Sequence, residues 1–135
     1  MGFGYKGDTG HYHTLGENAA SLKESYKFNP NTGYFGEPGK SSNNHVRNIE
    51  SEDPLKTSKD FYEKAASGGK ETPLKNGEGV ITIMKDGTVI VFRETSHSDG
   101  TSAIDINIKS PKDNGGIKSQ KIHFVKKEVK IDEKN

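Results

Sequence analysis

Asp86-Gly87 lies between two β-branched runs, residues 80–84 and 88–93, and no other pair in the chain restricts its fold as strongly. A two-residue type I′ turn needs φ > 0 at both central positions, which Asp-Gly tolerates, so the stretch predicts an antiparallel hairpin. In that hairpin Lys85 faces Thr88, Ile83 faces Ile90 and Ile81 faces Phe92. Two more alternating runs follow at 103–108 and 120–125, set apart by Gly, Asp, Asn and Ser. The expected product is a four-stranded antiparallel meander.

Alternation of side chains along a strand assigns the two faces. One face collects Ile81, Ile83, Ile90, Phe92, Ile104, Ile106, Ile108, Ile122 and Phe124, a hydrophobic floor. The other carries Val80, Thr82, Met84, Val89 and Val91, and with them Arg93, Asp105, Asn107, Lys121 and His123. Antiparallel sheets commonly turn one face to water, so each polar residue alone is explained by solvation. The set is more specific, because His, Arg, Lys and a carboxylate on one face supply proton transfer, anion binding and orientation.

Something must cover the floor. Asp53-Pro54 opens a helix, with Asp as N-cap and Pro at the first helical position. Leu55, Phe61, Tyr62, Ala65 and Ala66 form its apolar stripe over 55–67, and Gly68-Gly69 ends it. Phe61 and Tyr62 should meet the isoleucines, with Tyr34 and Phe35 folding back as a cap. The expectation is an α+β fold with one or two N-terminal helices packed on a four-stranded antiparallel β-sheet. Residues 40–52 and 70–78 read as connectors. Only 28% of the 135 residues are hydrophobic and 16 are Gly, with most β-branched residues after Gly79. A compact C-terminal half, a weakly ordered N-terminal region and a charged tail over 126–135 follow from that distribution. A two-turn helix is expected near residues 19–26, and Val129 and Ile131 leave room for a short fifth strand.

Charge and motif content exclude several classes. The net charge of +1 names no partner, although residues 109–135 hold 8 Lys against 4 acidic residues, a basic edge suited to a polyanion. The absence of Cys removes disulfides and Cys-ligated zinc. His11-Tyr12-His13 lacks further ligands at convincing spacing, so no metal site is expected. Gly39-Lys40-Ser41 lacks the upstream Gly and the flanking strand and helix of a phosphate-binding loop. No run is long enough to span a membrane. Residues 94–101, ETSHSDGT, follow the strand that delivers Arg93; they read either as a solvated hairpin loop or as a site loop bearing Thr95, Ser96, His97 and Ser98.

Several ordered motifs then stand out: DFYEKAASGGKE, G-x-G-V-I-T, D-G-T-V-I-x-F-R-E, S-x-x-D-G-x-x-A-I-D-I-N-I and G-I-K-x-Q-K-I-H-F, preceded by GYFGEPGK and VRNIESEDP. Over residues 33–125 the chain resembles the C-terminal toxin domains of bacterial polymorphic toxins, the group carried by LXG proteins of Gram-positive bacteria, which implies a nuclease domain over 33–125 between a weakly ordered segment over 1–32 and the tail over 126–135. The resemblance implies the barnase/EndoU/colicin/RelE superfamily, in which one or two helices precede a four-stranded antiparallel sheet and most members are metal-independent ribonucleases without cofactors. It assigns function to Arg93, Asp105 and His123, with Thr95, Ser96 and Ser98 in the adjoining loop; the role of His97 rests on its chemistry alone. It further implies RNA as substrate, a cognate immunity protein as partner, a chain monomeric when free, and secretion within a larger toxin that acts in the cytoplasm of a target bacterium.

The expected chemistry is attack of a ribose 2′-hydroxyl on the adjacent phosphate. His123 serves as general acid or base, Arg93 clamps the phosphate, Lys121 adds a second cation and Asp105 orients His123 or Arg93. Asn107 and the hydroxyls of Thr95, Ser96 and Ser98 bind phosphate or base. His97 and His45 are the candidates for the second proton carrier. A non-catalytic binding module, adaptor- or immunity-like, is the alternative reading of the same face. A DNase is a weaker one, since DNA lacks the 2′-hydroxyl and its hydrolysis usually calls for a metal.

Overall fold

The structure, a computed structural model, describes residues 13–39, 41–75, 77–95, 101–109 and 114–127. The described residues form two helices, α1 (Leu15–Ser25) and α2 (Pro54–Ala65), and nine strands. β1 (Phe28–Asn29) and β2 (Tyr34–Phe35) make a small hairpin. The remaining strands are β3 (Glu37–Pro38), β4 (Val46–Ser51), β5 (Lys70–Pro73), β6 (Gly79–Ile83), β7 (Val89–Arg93), β8 (Ser102–Asn107) and β9 (Gln120–Lys126). They form a seven-stranded sheet in the order β3-β4-β9-β8-β7-β6-β5. The fold is α+β, and every pairing in that sheet is antiparallel except β4 with β9.

The expected meander is present as β6 to β9, but the sheet has seven strands rather than four, and α2 lies between β4 and β5 instead of preceding all strands. The stretches read as connectors hold two of the three extra strands, β4 and β5. β4 was hidden because the core-facing position between Val46 and Asn48 is Arg47, which breaks the apolar alternation. Arg47 is buried, and its guanidinium donates to the carbonyls of Phe35 (2.9 Å), Asn44 (3.1 Å) and Gly36 (3.2 Å), which compensates its burial. β5 is an edge strand of polar sequence ending in Pro73, where a missing N–H costs no ladder bond.

The hairpin turn is one residue longer than expected. Met84 N–H donates to the Thr88 carbonyl (2.8 Å) and Gly87 N–H to the Met84 carbonyl (2.9 Å), with Gly87 at φ +88°. The Asp86 carboxylate accepts from the Thr88 amide (3.2 Å) and hydroxyl (3.0 Å), so Asp-Gly turns the chain, but within a three-residue connection. The register therefore becomes Ile83 with Val89 and Ile81 with Val91. A slip of one residue exchanges the two faces of a strand. On β6 it is Thr82 and Met84 that are buried, while Ile83 is 41% exposed. On β7, β8 and β9 the assigned floor holds: Ile90, Phe92, Ile104, Ile106, Ile122 and Phe124 are all buried.

Both helices serve the floor. Asp53 caps α2 and Pro54 is its first residue. Phe61 packs edge-on against Phe124 at 5.7 Å and against Phe35 at 5.2 Å, and Tyr62 lies 5.7 Å from Phe92. Leu55, placed on the apolar stripe from sequence, is 39% exposed. α1 begins at a capping box in which the Thr14 hydroxyl accepts from Glu17 N–H and the Glu17 carboxylate accepts from Thr14 N–H. Its Leu15, Ala19 and Leu22 enter the core, and the Asn18 amide donates to the carbonyls of Ala65 and Ser67 at the end of α2 (2.9 Å each). The packed unit thus includes residues 13–32, which composition had marked as weakly ordered. His13 hydrogen-bonds Asn18 at 3.0 Å, a structural role beside Gly68, whose φ of +79° and contact with the His13 ring leave no room for a Cβ.

Polar pairs also anchor the helices. The Tyr26 hydroxyl donates to Asp60. Burial pushes the Asp60 carboxyl up, but hydrogen bonds from Lys64 and Tyr26 outweigh it and hold the group below its ordinary range. On β5, Glu71 stands opposite Thr82 and turns towards Tyr62, whose hydroxyl is bonded to the Thr82 hydroxyl. Burial raises the Glu71 pKa, and its Oε2 has no hydrogen-bond partner among the described residues.

Candidate functional site on the open face

The helices occupy one side of the sheet, which leaves the predicted polar residues on the other. Ladder register places them in two rows. Asn48, His123, Ala103 and Arg93 follow one another across β4, β9, β8 and β7. The neighbouring row runs Val46, Lys121, Asp105 and Val91. Rows on one face are two residues apart along each strand, about 6.8 Å, and neighbouring strands are about 4.8 Å apart. Arg93, Asp105, Lys121 and His123 therefore stand in two adjacent rows on three neighbouring strands.

Arg93 and Asp105 are joined on the diagonal, Nη1 to Oδ2 at 3.0 Å, with each side chain about a third exposed. A pair so open to water stabilises the fold by at most about 1 kcal/mol, so its contribution to folding is small. Of the two groups Asp105 was expected to orient, Arg93 is the one it contacts. Lys121 sits directly across from Asp105 on β9. His123 lies deeper at 6% exposure, beside Ala103 at 1%. Its Nδ1 is bonded to the Thr101 hydroxyl at 2.9 Å, which fixes the ring orientation. Asn107 and Thr95 are exposed, at the end of β8 and just after β7. Ser96, His97 and Ser98 lie outside the described residues, as do Val129 and Ile131.

Sequence reasoning missed Thr101 as the partner of His123 and Asn48 as its neighbour. Thr101 could have been found, since it precedes a strand whose Ala103 pairs with His123; Asn48 could not, once β4 had been read as a connector. His45 precedes β4, and its carbonyl accepts from Lys121 N–H (2.8 Å). Beside Lys121 the face opens into a pocket of ≈ 630 Å³ bordered by Tyr34, His45, Val46, Asp105, Asn107 and Ser119, among others. Among the described residues no three His, Asp or Glu side chains gather as a metal-ligating group, and no helix is long and apolar enough to cross a membrane.

No protein-family description, no curated protein and no solved structure matches this chain.

Proposed function

We propose that this chain is the RNA-cleaving domain of an antibacterial toxin, a metal-independent endoribonuclease that attacks phosphate with the ribose 2′-hydroxyl. The observation that carries the reading is the sharing of one sheet face by a hydroxyl-anchored His123, the Arg93–Asp105 pair and Lys121. The finer architecture belongs to the same proposal: α2 followed by the β6 to β9 meander is the helix-and-four-strand unit of the barnase/EndoU/colicin/RelE superfamily, with β3, β4 and β5 added at its two edges.

The reaction assigns each group a task. A base removes the 2′-hydroxyl proton, the 2′-oxygen bonds to phosphorus, and the P–O5′ bond breaks as an acid protonates the leaving 5′-oxygen. The products are a 2′,3′-cyclic phosphate and a 5′-hydroxyl. His123 performs one of the two proton transfers. Arg93 offers its guanidinium to the phosphorane oxygens, Asp105 holds it in place, and Lys121 adds a second positive charge. Thr95, Ser96, Ser98 and Asn107 contact phosphate or base, and His97 or His45 supplies the other proton transfer. In biological context, the domain is delivered within a larger secreted protein of the LXG type by the type VII route. It acts in the cytoplasm of a target bacterium, and a cognate immunity protein blocks it. One observation favours a second reading, a non-catalytic binding module: Ile83 is exposed on the same face, next to half-buried Val89.

The test is a gel of total RNA incubated with purified protein in EDTA, beside His123→Ala and Arg93→Ala proteins whose folding is verified by circular dichroism. Discrete fragments from the wild type, reduced about 100-fold or more by either substitution, are expected. Intact RNA with folded wild-type protein, both alone and with added cell extract, would leave the binding module as the better reading. Full activity in both folded variants would remove His123 and Arg93 from the mechanism.

A further inference from the structure

The pocket beside Lys121 is lined by residues from four separate parts of the chain, and Tyr34 in it has no part in the mechanism proposed above. Tyr34, on β2, is its aromatic wall. The Arg47 guanidinium lies over the Tyr34 ring, 5.0 Å from its centroid, and is itself buried and tied to three main-chain carbonyls. The ring is thereby backed by a fixed cation while it borders the pocket. The β1–β2 hairpin that carries it is held to β9 by Gln120, whose side chain accepts from Phe35 N–H (2.9 Å) and donates to the Gly33 carbonyl (3.0 Å). The same pocket is lined by Asn107, with a donor and an acceptor on one amide, and by Lys121, which brings an ammonium. A rigid aromatic face, an amide and a cation around ≈ 630 Å³ match the size and chemistry of a site for a planar, phosphorylated ligand.

We infer that this pocket is a nucleobase subsite, in which Tyr34 stacks the base, Asn107 reads its edge and Lys121 holds the phosphate that follows it towards Arg93. The inference rests on the ribonuclease reading for its ligand class, and it adds Tyr34 and gives Asn107 and Lys121 defined places in one pocket. Lys121 and Asp105 border the pocket and also stand one row from His123 and Arg93, so a base seated on Tyr34 places its own phosphate at the catalytic row. Base preference in cleavage is then set by β2 and the end of β8.

The experiment titrates the full chain with the four nucleoside 3′-monophosphates and with ribose 5-phosphate, which has sugar and phosphate but no base. Calorimetry gives the affinities, and amide chemical shifts locate the site. Expected are binding of at least one nucleotide, shifts at Val46, Asn107 and Lys121, and distinctly weaker binding of ribose 5-phosphate. Tyr34→Leu should lose roughly tenfold or more of that affinity while Tyr34→Phe keeps it. Equal affinity for nucleotide and ribose 5-phosphate, unchanged affinity in Tyr34→Leu, or shifts mapping elsewhere would overturn the subsite. The shift map is taken on the wild type, so it decides the matter even if Tyr34→Leu fails to fold. RNA cleavage measured on the same samples separates the two claims. Base-dependent binding in the pocket with intact RNA keeps the subsite and ends the cleavage reading; cleavage without base-dependent binding does the reverse.

Discussion

Strands β7, β8 and β9 show opposite chemistry on their two sides. Towards the helices they present Ile90, Phe92, Ile104, Ile106, Ile122 and Phe124, all buried. Towards the open side the same strands present Arg93, Asp105, Asn107, Lys121 and His123, of which only His123 is out of water. Backbone, register and twist are common to both sides, so the difference lies wholly in alternate side chains. Apolar area removed from water contributes about 25 cal/mol per Å², whereas an exposed ion pair contributes about 1 kcal/mol at most. Stability is therefore concentrated on one side, and the other is free to carry groups chosen for chemistry.

That contrast is open to direct attack. Its largest expected effect is on the covered side: Phe61→Ala removes the ring that joins Phe35 to Phe124 and should cost about 3–5 kcal/mol, read from denaturant unfolding. Arg47→Ala comes next. It is charged yet belongs with the core, because three carbonyls lose their donor, and a loss of roughly 2–3 kcal/mol is expected. On the open side Arg93→Ala should change unfolding by no more than about 1 kcal/mol, while the proposed function requires it to abolish RNA cleavage. A loss as large as that of Phe61→Ala would show that the open side, too, holds the fold together.

Glu71 sharpens the comparison at its smallest scale. It is a carboxylate on the covered side, and burial raises its pKa above the ordinary range. The folded state then binds its proton more tightly than the unfolded state, so stability falls as pH rises from the ordinary carboxylate pKa through the raised one. Glu71→Gln removes that titration. The variant should melt at a higher temperature than the wild type at pH 8 and converge with it near pH 4; a difference independent of pH would mean that the carboxylate's charge is not the cause.

The covered side was largely legible in the sequence. Period-two alternation identified Ile90, Phe92, Ile104, Ile106, Ile122 and Phe124 as buried, though not Ala103, and Asp53-Pro54 located the start of α2. The parity of β6 was not legible, because Asp-Gly serves two-residue and three-residue connections alike and only the longer one buries Met84. β4 escaped for a different reason. Its alternation is carried by an arginine whose stem lies in the core and whose head bonds to carbonyls distant in sequence. On the open side, alternation from the Asp-Gly turn grouped Arg93, Asp105, Lys121 and His123 correctly, since β7, β8 and β9 kept their parity. Asn48 and Tyr34 were out of reach, because their nearness to Lys121 and His123 depends on β4 and β2 meeting β9.

The parallel pairing of β4 with β9 has a kinetic consequence. Val46 meets Lys121, with α2 and four strands of the sheet lying between them in the chain. Contacts so far apart in sequence are slow to form, because a large loop must close before they stabilise anything. β9 is interior to the sheet and brings Lys121 and His123 with it. A chain that has not yet docked this strand lacks two of its four central polar groups as well as the ladder that joins β3 and β4 to the rest. β9 also pairs with β8 across a short connection, which sets Lys121 beside Asp105 independently of β4; the long-range closure of β4 on β9 adds Asn48 beside His123.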